Sequence, residues 1–223
     1  MIHDVEQNTE AWMTLRMGKV TASNFPKIMA NYGKAFGNPA KDYAKRVAIE
    51  SFTKTPVETF KNEWMERGHE LEQWARSAYE MQTFNVVLPA GFSEIGYFGA
   101  SADGLVDDDG LIEIKSVKYN IHFDRLQKGR FDSSYEWQMR GQLWLYDRAW
   151  CDFVSYCPEF PPDKQLYIFR VERDLELEKR LIGRLDEFLD LLDTYIEVLQ
   201  SGASYSQKDI NKRLDKLDKD PKK

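Results

Sequence analysis

Asp103 and Glu113, with Lys115 two residues beyond the second, are the residues of this 223-residue chain whose types and spacing could do chemistry. Asp109-Gly110 is a hairpin turn signal, so the stretch from Leu111 to Val117 reads as a strand leaving a tight turn. Side chains alternate along a strand, which puts Ile112 and Ile114 on one face and Glu113 and Lys115 on the other. Asp103 ends the preceding extended run, within reach of Glu113 across the hairpin. Two converging carboxylates repel each other unless a cation lies between them. Hard oxygen donors suit Mg²⁺, which binds through one or two carboxylates and keeps several waters. Lys115, on the same face, could orient or deprotonate one of those waters. The set is that of a metal-dependent nuclease. The same residues also read as an ordinary Asp-Gly turn followed by a weak ion pair on a solvent-facing strand.

The elements around these residues bear on that choice. Helical patterns cover roughly residues 21–31, 39–53, 62–81, 133–148 and 174–201, and extended segments fall near 84–88, 92–101, 111–118, 150–157 and 165–173. Strands in the middle, with helices before, between and after, predict an α/β fold with a mixed central β-sheet flanked by helices. Residues 1–201 read as one domain and 202–223 as a charged C-terminal tail. In the helix over 62–81, Leu71, Trp74, Ala75, Ala78 and Tyr79 form an apolar stripe, with Glu72 at its margin and Arg76 one turn further on. Ser133-Ser134-Tyr135-Glu136 carries a capping-box pattern. Tyr135, Gln138, Gln142 and Tyr146 then follow near i,i+4 spacing. Two glutamines are unusual on a core face, because a buried amide needs partners. Thr21-Ala22-Ser23, ahead of Phe25, Ile28 and Met29, reads as a helix entry whose free amides suit a phosphate, to which Arg16 could add a bidentate contact. A plain N-cap beside a surface arginine explains the same residues.

Four blocks, in order, make the chain resemble the phage lambda-type alkaline exonucleases of viral recombination, within the PD-(D/E)xK nuclease superfamily. They are Ala11-Trp12 with Leu15-Arg16, Gly18 and Thr21-Ala22-Ser23; Trp64-Met65 with Gly68, Glu72 and Ala75-Arg76; Ser101-Ala102-Asp103-Gly104 leading to Glu113-Ile114-Lys115; and Gln138 with Gln142-Leu143-Trp144. Together they span roughly residues 11 to 145. The resemblance implies a PD-(D/E)xK core and a 5′→3′ exonuclease that degrades one strand of linear double-stranded DNA, leaving 3′ overhangs for strand annealing. It implies two Mg²⁺ ions, replaceable by Mn²⁺, bridged by Asp103, with Glu113 and the Ile114 carbonyl completing one site and Lys115 positioning the attacking water. Glu72 becomes a third carboxylate beside the metals, and Gln138 contacts an outer water or the substrate. Arg16, Thr21 and Ser23 hold the 5′-phosphate, and Met65 matches a strand-separating wedge. A homo-oligomeric ring, by analogy a trimer, and a single-strand annealing partner are also implied. The chain departs from the family in having Ala102 where a proline is usual, and in lacking a Cys-Pro-like turn after Lys115. The phosphate-contacting basic residue expected beyond that turn has Lys118, Arg125, Lys128 and Arg130 as candidates, and Lys34 is the nearest to one expected after the first helix. An endonuclease or Holliday-junction resolvase would use the same catalytic set, and a non-enzymatic DNA-end-binding module would keep only the phosphate contacts.

Composition narrows the remaining classes. No apolar run approaches the roughly 20 residues that span a bilayer, and no secretory signal opens the chain, so a soluble, cytoplasmic protein is expected. Cys151 and Cys157 lie along one extended segment and are not expected to pair, and two cysteines are too few for an iron–sulfur cluster. His3, His69 and His122 have no zinc-site spacing. A net charge of −6 and a pI near 5.3 exclude a chain coated in positive charge for DNA. The final segment from Gln207 carries seven basic and four acidic residues, so the remainder is more acidic still. Bound Mg²⁺ would offset the catalytic carboxylates, and an acidic exterior is compatible with a cation-lined bore.

Overall fold

The structure, a computed structural model, describes residues 1–57, 63–201, 209 and 212, excluding the side chains at 63–66 and 69. Its elements begin with β1 (Ile2–His3), α1 (Glu10–Arg16), β2 (Val20–Thr21), α2 (Phe25–Met29), α3 (Asn38–Thr53) and α4 (Glu63–Thr83). Then come β3 (Val87–Leu88), β4 (Phe92–Ile95), β5 (Phe98–Ala100), β6 (Gly104–Val106) and β7 (Gly110–Ser116). The chain continues through α5 (Tyr119–Lys128), α6 (Glu136–Tyr146), β8 (Trp150–Tyr156), β9 (Leu166–Glu172) and α7 (Leu175–Gln200). The tail from 202 lies outside the described residues apart from 209 and 212, as does the Met65 side chain.

The strands form two sheets, in the orders β3-β6-β7-β8-β9 and β1-β4-β5-β2. In the larger one β7 and β8 run parallel, joined through α5 and α6, and the other neighbours are antiparallel. The expected mixed α/β architecture is therefore present, with a second small sheet that the sequence pattern does not separate. Residues 92–101 read as one extended run but fold as β4 and β5 around a turn, with Gly96 at φ 58°.

β7 is buried on both faces, as the inner strand of a sheet with helices on each side must be. Its alternation is the predicted one. Ile112 and Ile114 pack with Val154, Ala75 and Tyr79 under α4, while Leu111 joins Phe153, Met139 and Leu143 under α6. The hairpin differs in one detail. The left-handed residue is Asp107 (φ 50°), and Gly110 already belongs to β7. A Cβ at Gly110 would fall on the Trp150 ring, so close packing rather than the turn excludes a side chain there.

Helix orientation corrects two further expectations. Trp74 is 60% exposed, and α4 instead turns Ala75 and Tyr79 inward with Leu71 and Ala78 partly buried, which carries Glu72 and Arg76 toward the sheet edge. Before α6, Asp132 rather than Ser133 caps the turn, its carboxylate accepting the Ser134 amide at 2.9 Å. No helix among the described residues is long and apolar enough to cross a membrane.

Candidate active site

The β6–β7 hairpin sets Asp103 beside Glu113. The Asp103 amide donates to the Ile112 carbonyl at 3.2 Å, and Asp103 Oδ2 accepts the Ile114 amide at 2.6 Å. Glu113 is 1% exposed, and a carboxylate that deep is stable only if its oxygens are satisfied. They are: Gln138 Nε2 donates to Oε1 and Gln142 Nε2 to Oε2, both at 2.6 Å, and the Lys115 ammonium donates to Oε1. Burial, then the charges of Glu113 and Glu72, push the Asp103 carboxyl well above its usual range, although Lys115 and the Ile114 amide act the other way. Burial disfavours the charged Lys115, but Glu113 and Asp103 outweigh it and hold the ammonium above its ordinary value. The hydrogen bonds and ion pairs belong to a site with more negative charge than its lysine alone offsets.

Helix α6 supplies a ladder onto this hairpin. Gln138 and Gln142 hold Glu113, Gln142 also reaches the Ser101 carbonyl at 3.2 Å, and Tyr146 Oη accepts from the Ala102 amide at 3.3 Å. Tyr146 also donates within 3.1 Å of the Gly91 and Ala100 carbonyls. The same helix also packs closely on α2, where Gly141 has no side chain in the space the Phe25 ring fills. On the opposite side, Arg76 Nη2 lies 2.7 Å from the Asp103 carbonyl and 3.2 Å from Glu72 Oε1. Glu72 thus borders the site rather than meeting Glu113, on a cleft of about 460 Å³ lined by Glu70, Glu72, Gln73, Arg76 and Ser77.

The proposed phosphate residues form a second group. Parallel pairing of β2 with β5 puts Thr21 opposite Gly99, on the strand that leads to Asp103. Thr21 Oγ1 lies 3.3 Å from Ser23 Oγ, and the Thr21 amide donates to Tyr43 Oη at 2.8 Å. The helix entry is a short 3-10 turn over Ala22–Asn24 before α2. Arg16 stacks on Trp12, 4.1 Å from its ring centre, and Trp12 Nε1 donates to Ser101 Oγ at 2.8 Å. One indole therefore couples the arginine to the loop that presents Asp103. Burial lowers the Arg16 pKa, with Tyr43, Arg46 and Glu50 among the groups that act on it.

Asp103, Glu113, Lys115 and Gln138 are brought together as expected, and Thr21 meets Ser23. Ile114 contributes its amide to Asp103, leaving its carbonyl as a candidate oxygen donor. Among the described residues no three His, Cys, Asp or Glu side chains gather to hold a metal unaided. Two carboxylates with a backbone carbonyl and waters still fit Mg²⁺, which rarely takes an all-protein cage. Arg125, a sequence candidate for phosphate contact, is buried against Phe153 and donates to Ser155 Oγ at 2.9 Å, so it serves the core. Gln142, Tyr146, Trp12 and Arg46 carry parts of the arrangement that the motif reading did not assign. The α6 spacing pointed to the first two, and no local signal pointed to Arg46.

A YqaJ-like viral recombinase domain matches residues 11–149. The chain belongs to that family. An alkaline exonuclease from Laribacter hongkongensis has a similar structure, with 36% identity and a TM-score of 0.80 over 86% of this chain and 97% of that one. The same values hold for that enzyme in complex with dAMP. A phage-related exonuclease from Haemophilus somnus 129PT shares the fold at 19% identity and a TM-score of 0.67, over 86% of this chain and 100% of that one. A search of curated proteins finds no match. The resemblance to lambda-type exonucleases carried by the four sequence blocks is borne out, and so is the α/β fold class.

Proposed function

We propose that this protein is a DNA exonuclease that hydrolyses one strand of linear duplex DNA from a 5′-phosphorylated end, in the 5′→3′ direction, with Mg²⁺. Family membership and the similarity to an alkaline exonuclease support the nuclease class. The observation that carries the finer reading is the coupling of two groups: Asp103, Glu113 and Lys115 on one side, and Arg16 with Thr21 and Ser23 on the other, joined by the Trp12–Ser101 hydrogen bond. An anion pocket fixed beside a hydrolytic site sets how far from a strand end cleavage occurs. The dAMP bound to the Laribacter hongkongensis enzyme is itself a nucleoside monophosphate, the class of product such an enzyme releases.

Asp103, Glu113 and the Ile114 carbonyl would hold Mg²⁺, with Glu72 at the outer edge. Bound there, Mg²⁺ supplies charge stabilisation on the attacking and leaving oxygens of an in-line displacement. Lys115 places its ammonium beside Glu113, where it orients the attacking water. Gln138 and Gln142 hold the Glu113 carboxylate in place, and Arg76 fixes the Asp103 backbone. Arg16 and the Thr21 and Ser23 hydroxyls anchor the strand end while the next phosphodiester is cut. A ring of copies, with a trimer favoured, and a strand-annealing partner that receives the 3′ overhang complete the proposal; the acidic net charge is compatible with a ring that keeps DNA from its outer surface.

Digestion of linear duplex with 5′-phosphoryl or 5′-hydroxyl ends, beside a covalently closed plasmid, tests this reading with and without Mg²⁺. Mg²⁺-dependent loss of the phosphorylated linear DNA, with the plasmid spared, is expected. Cutting of the closed plasmid would replace it with an endonuclease, and no cleavage of either would leave a DNA-end-binding module.

A further inference from the structure

Helix α5 is anchored beside the catalytic lysine by one face and leaves two aromatic rings in water on another. His122 and Arg125 are buried, and both reach the Ser155 hydroxyl of β8 at 2.9 Å. Ser155 pairs with Lys115 in the parallel register of β7 and β8, and Arg125 lies over the Tyr135 ring that Lys115 also approaches. Away from these contacts Tyr119 is 68% exposed and Phe123 is 55% exposed, one helical turn apart on a shared face. Tyr119 follows Lys115 by four residues, so their Cα atoms are at most about 14 Å apart. Exposed aromatic surface grouped beside a hydrolytic site marks a place where something binds.

The charges around the pair favour a nucleic acid. From Lys118 to Asp132 the chain carries four basic and two acidic residues, against a net charge of −6 for the whole. Arg125 serves the core, Lys128 lies 3.3 Å from Asp124, and Asp132 caps the turn before α6. Lys118 and Arg130 are exposed at the two ends of the helix. Asp163 and Lys164, on the turn held by His122 through the Lys164 carbonyl, pair with each other. Aromatic faces set among cations are how single strands are held, since a ring stacks on any base while the cations follow the backbone. The place of α5 decides which strand it meets. Arg16, Thr21 and Ser23 reach the site through Ser101, next to β5 of the smaller sheet, whereas α5 reaches it through β8 of the larger one. The digested strand is held at the first of these borders, and its unpaired complement is left to the second.

We propose that Tyr119 and Phe123 of α5 form a stacking platform for the unpaired bases of the 3′-ended strand as hydrolysis exposes them. The inference rests on the exonuclease reading given above and names where that strand passes when it leaves the catalytic site. Each turnover frees one more base for the rings, so the platform holds the enzyme on the end it has just shortened.

The test measures affinity by anisotropy, with Ca²⁺ in place of Mg²⁺, for a 5′-phosphorylated duplex with a 3′ overhang and for the same duplex with an overhang of abasic nucleotides. The wild type is expected to bind the natural overhang at least about tenfold more tightly, the scale of stacking a base on an aromatic side chain. Tyr119→Ala/Phe123→Ala is expected to bind the two alike, because the abasic overhang keeps the phosphates and lacks only the bases. Tyr119→Trp/Phe123→Trp, which keeps two ring faces, should retain the difference. 2-Aminopurine placed in the overhang should be quenched on binding the wild type and not on binding the alanine variant. Both positions are exposed on a helix, where alanine is a good helix former, and thermal melting shows that each variant is folded. A wild type that digests no linear duplex in Mg²⁺ would sink the exonuclease reading itself. A wild type that digests duplex but binds both overhangs equally, or a folded alanine variant that keeps the difference, would overturn the platform alone. An alanine variant that keeps the difference and sediments as a smaller species than the wild type would make this face a contact between copies instead.

Discussion

Gln142 Nε2 donates to Glu113 Oε2 at 2.6 Å and to the Ser101 carbonyl at 3.2 Å, so one buried amide ties the carboxylate of β7 to the loop that carries Asp103. Its own Oε1 is buried without a hydrogen bond, so the orientation is set by the two acceptors facing Nε2. Groups that orient a metal-binding carboxylate typically contribute about 10–100-fold to metal affinity or activity. Gln142→Leu is therefore expected to raise the Mg²⁺ concentration needed for half-maximal cleavage by a factor in that range. A titration of rate against Mg²⁺ measures this, and an unchanged midpoint would show that Gln138 and Lys115 hold Glu113 without it.

Lys115 donates to Glu113 and lies 5.4 Å from the Tyr135 ring centre, and among the described residues no hydrogen bond joins it to Arg16, Thr21 or Ser23. Lys115→Ala should lower the cleavage rate by about 10²–10⁴-fold, the usual span for a group that handles a proton or its water. Duplex affinity, measured by anisotropy with Ca²⁺ in place of Mg²⁺, should stay within a few-fold. Full cleavage in this variant would remove the lysine from the mechanism.

Asp103 faces Glu113 and Glu72, and the repulsion between them is a stability cost wherever no cation is bound. Asp103→Asn keeps an oxygen for the Ile114 amide and removes one charge. The variant is expected to be inactive yet more stable than wild type in EDTA, by about 1 kcal/mol, or roughly 2–4 °C in Tm for a chain of this size. Excess Mg²⁺ should reverse the order by stabilising only the wild type. A less stable variant in EDTA would mean that Lys115 and the Ile114 amide already compensate the charge.

His122 gives a pH signature away from the site. Its Nδ1 lies 2.9 Å from Ser155 Oγ and its Nε2 lies 2.8 Å from the Lys164 carbonyl, while Arg125 donates to the same Ser155 hydroxyl. The ring thus fits the neutral Nε2–H form, and burial lowers its pKa, with Arg125 acting in the same direction against the Lys164 carbonyl. A depressed folded-state pKa contributes stability above the ordinary histidine value of about 6.5 and loses it as pH falls through the lower folded value. Melting of the wild type should therefore decline below about pH 6, and His122→Gln should show a shallower acid slope despite lower stability at neutral pH. Equal slopes would assign the acid loss to other groups.

Much of the catalytic half was legible because it is local. Alternation along 111–117 sorted Ile112 and Ile114 from Glu113 and Lys115, and a hairpin of nine intervening positions brought Asp103 across to Glu113. The apolar stripe of α7 buried Leu181, Leu185, Phe188 and Leu192 as its periodicity required. Short elements left no such mark. α1 and β2 are seven and two residues long, and periodicity over so few positions does not stand out from chance. α5, from Tyr119 to Lys128, begins without a side-chain cap and falls outside the helical patterns of the sequence.

Backbone pattern and motif order, which depend on neighbours in the chain, determined the α/β class, the hairpin and the identity of the Asp103, Glu113 and Lys115 set. Rotation of α4, which exposes Trp74 and turns Arg76 to the Asp103 carbonyl, depended on packing against a sheet formed later in the chain. The same is true of Gln142 on Glu113, of Trp12 on Ser101, and of Arg46 beside Arg16 and Lys27 around Tyr43. These contacts join residues tens of positions apart. Periodicity reports which face of an element is apolar, whereas the partner met by a polar side chain on that face is set when the elements dock.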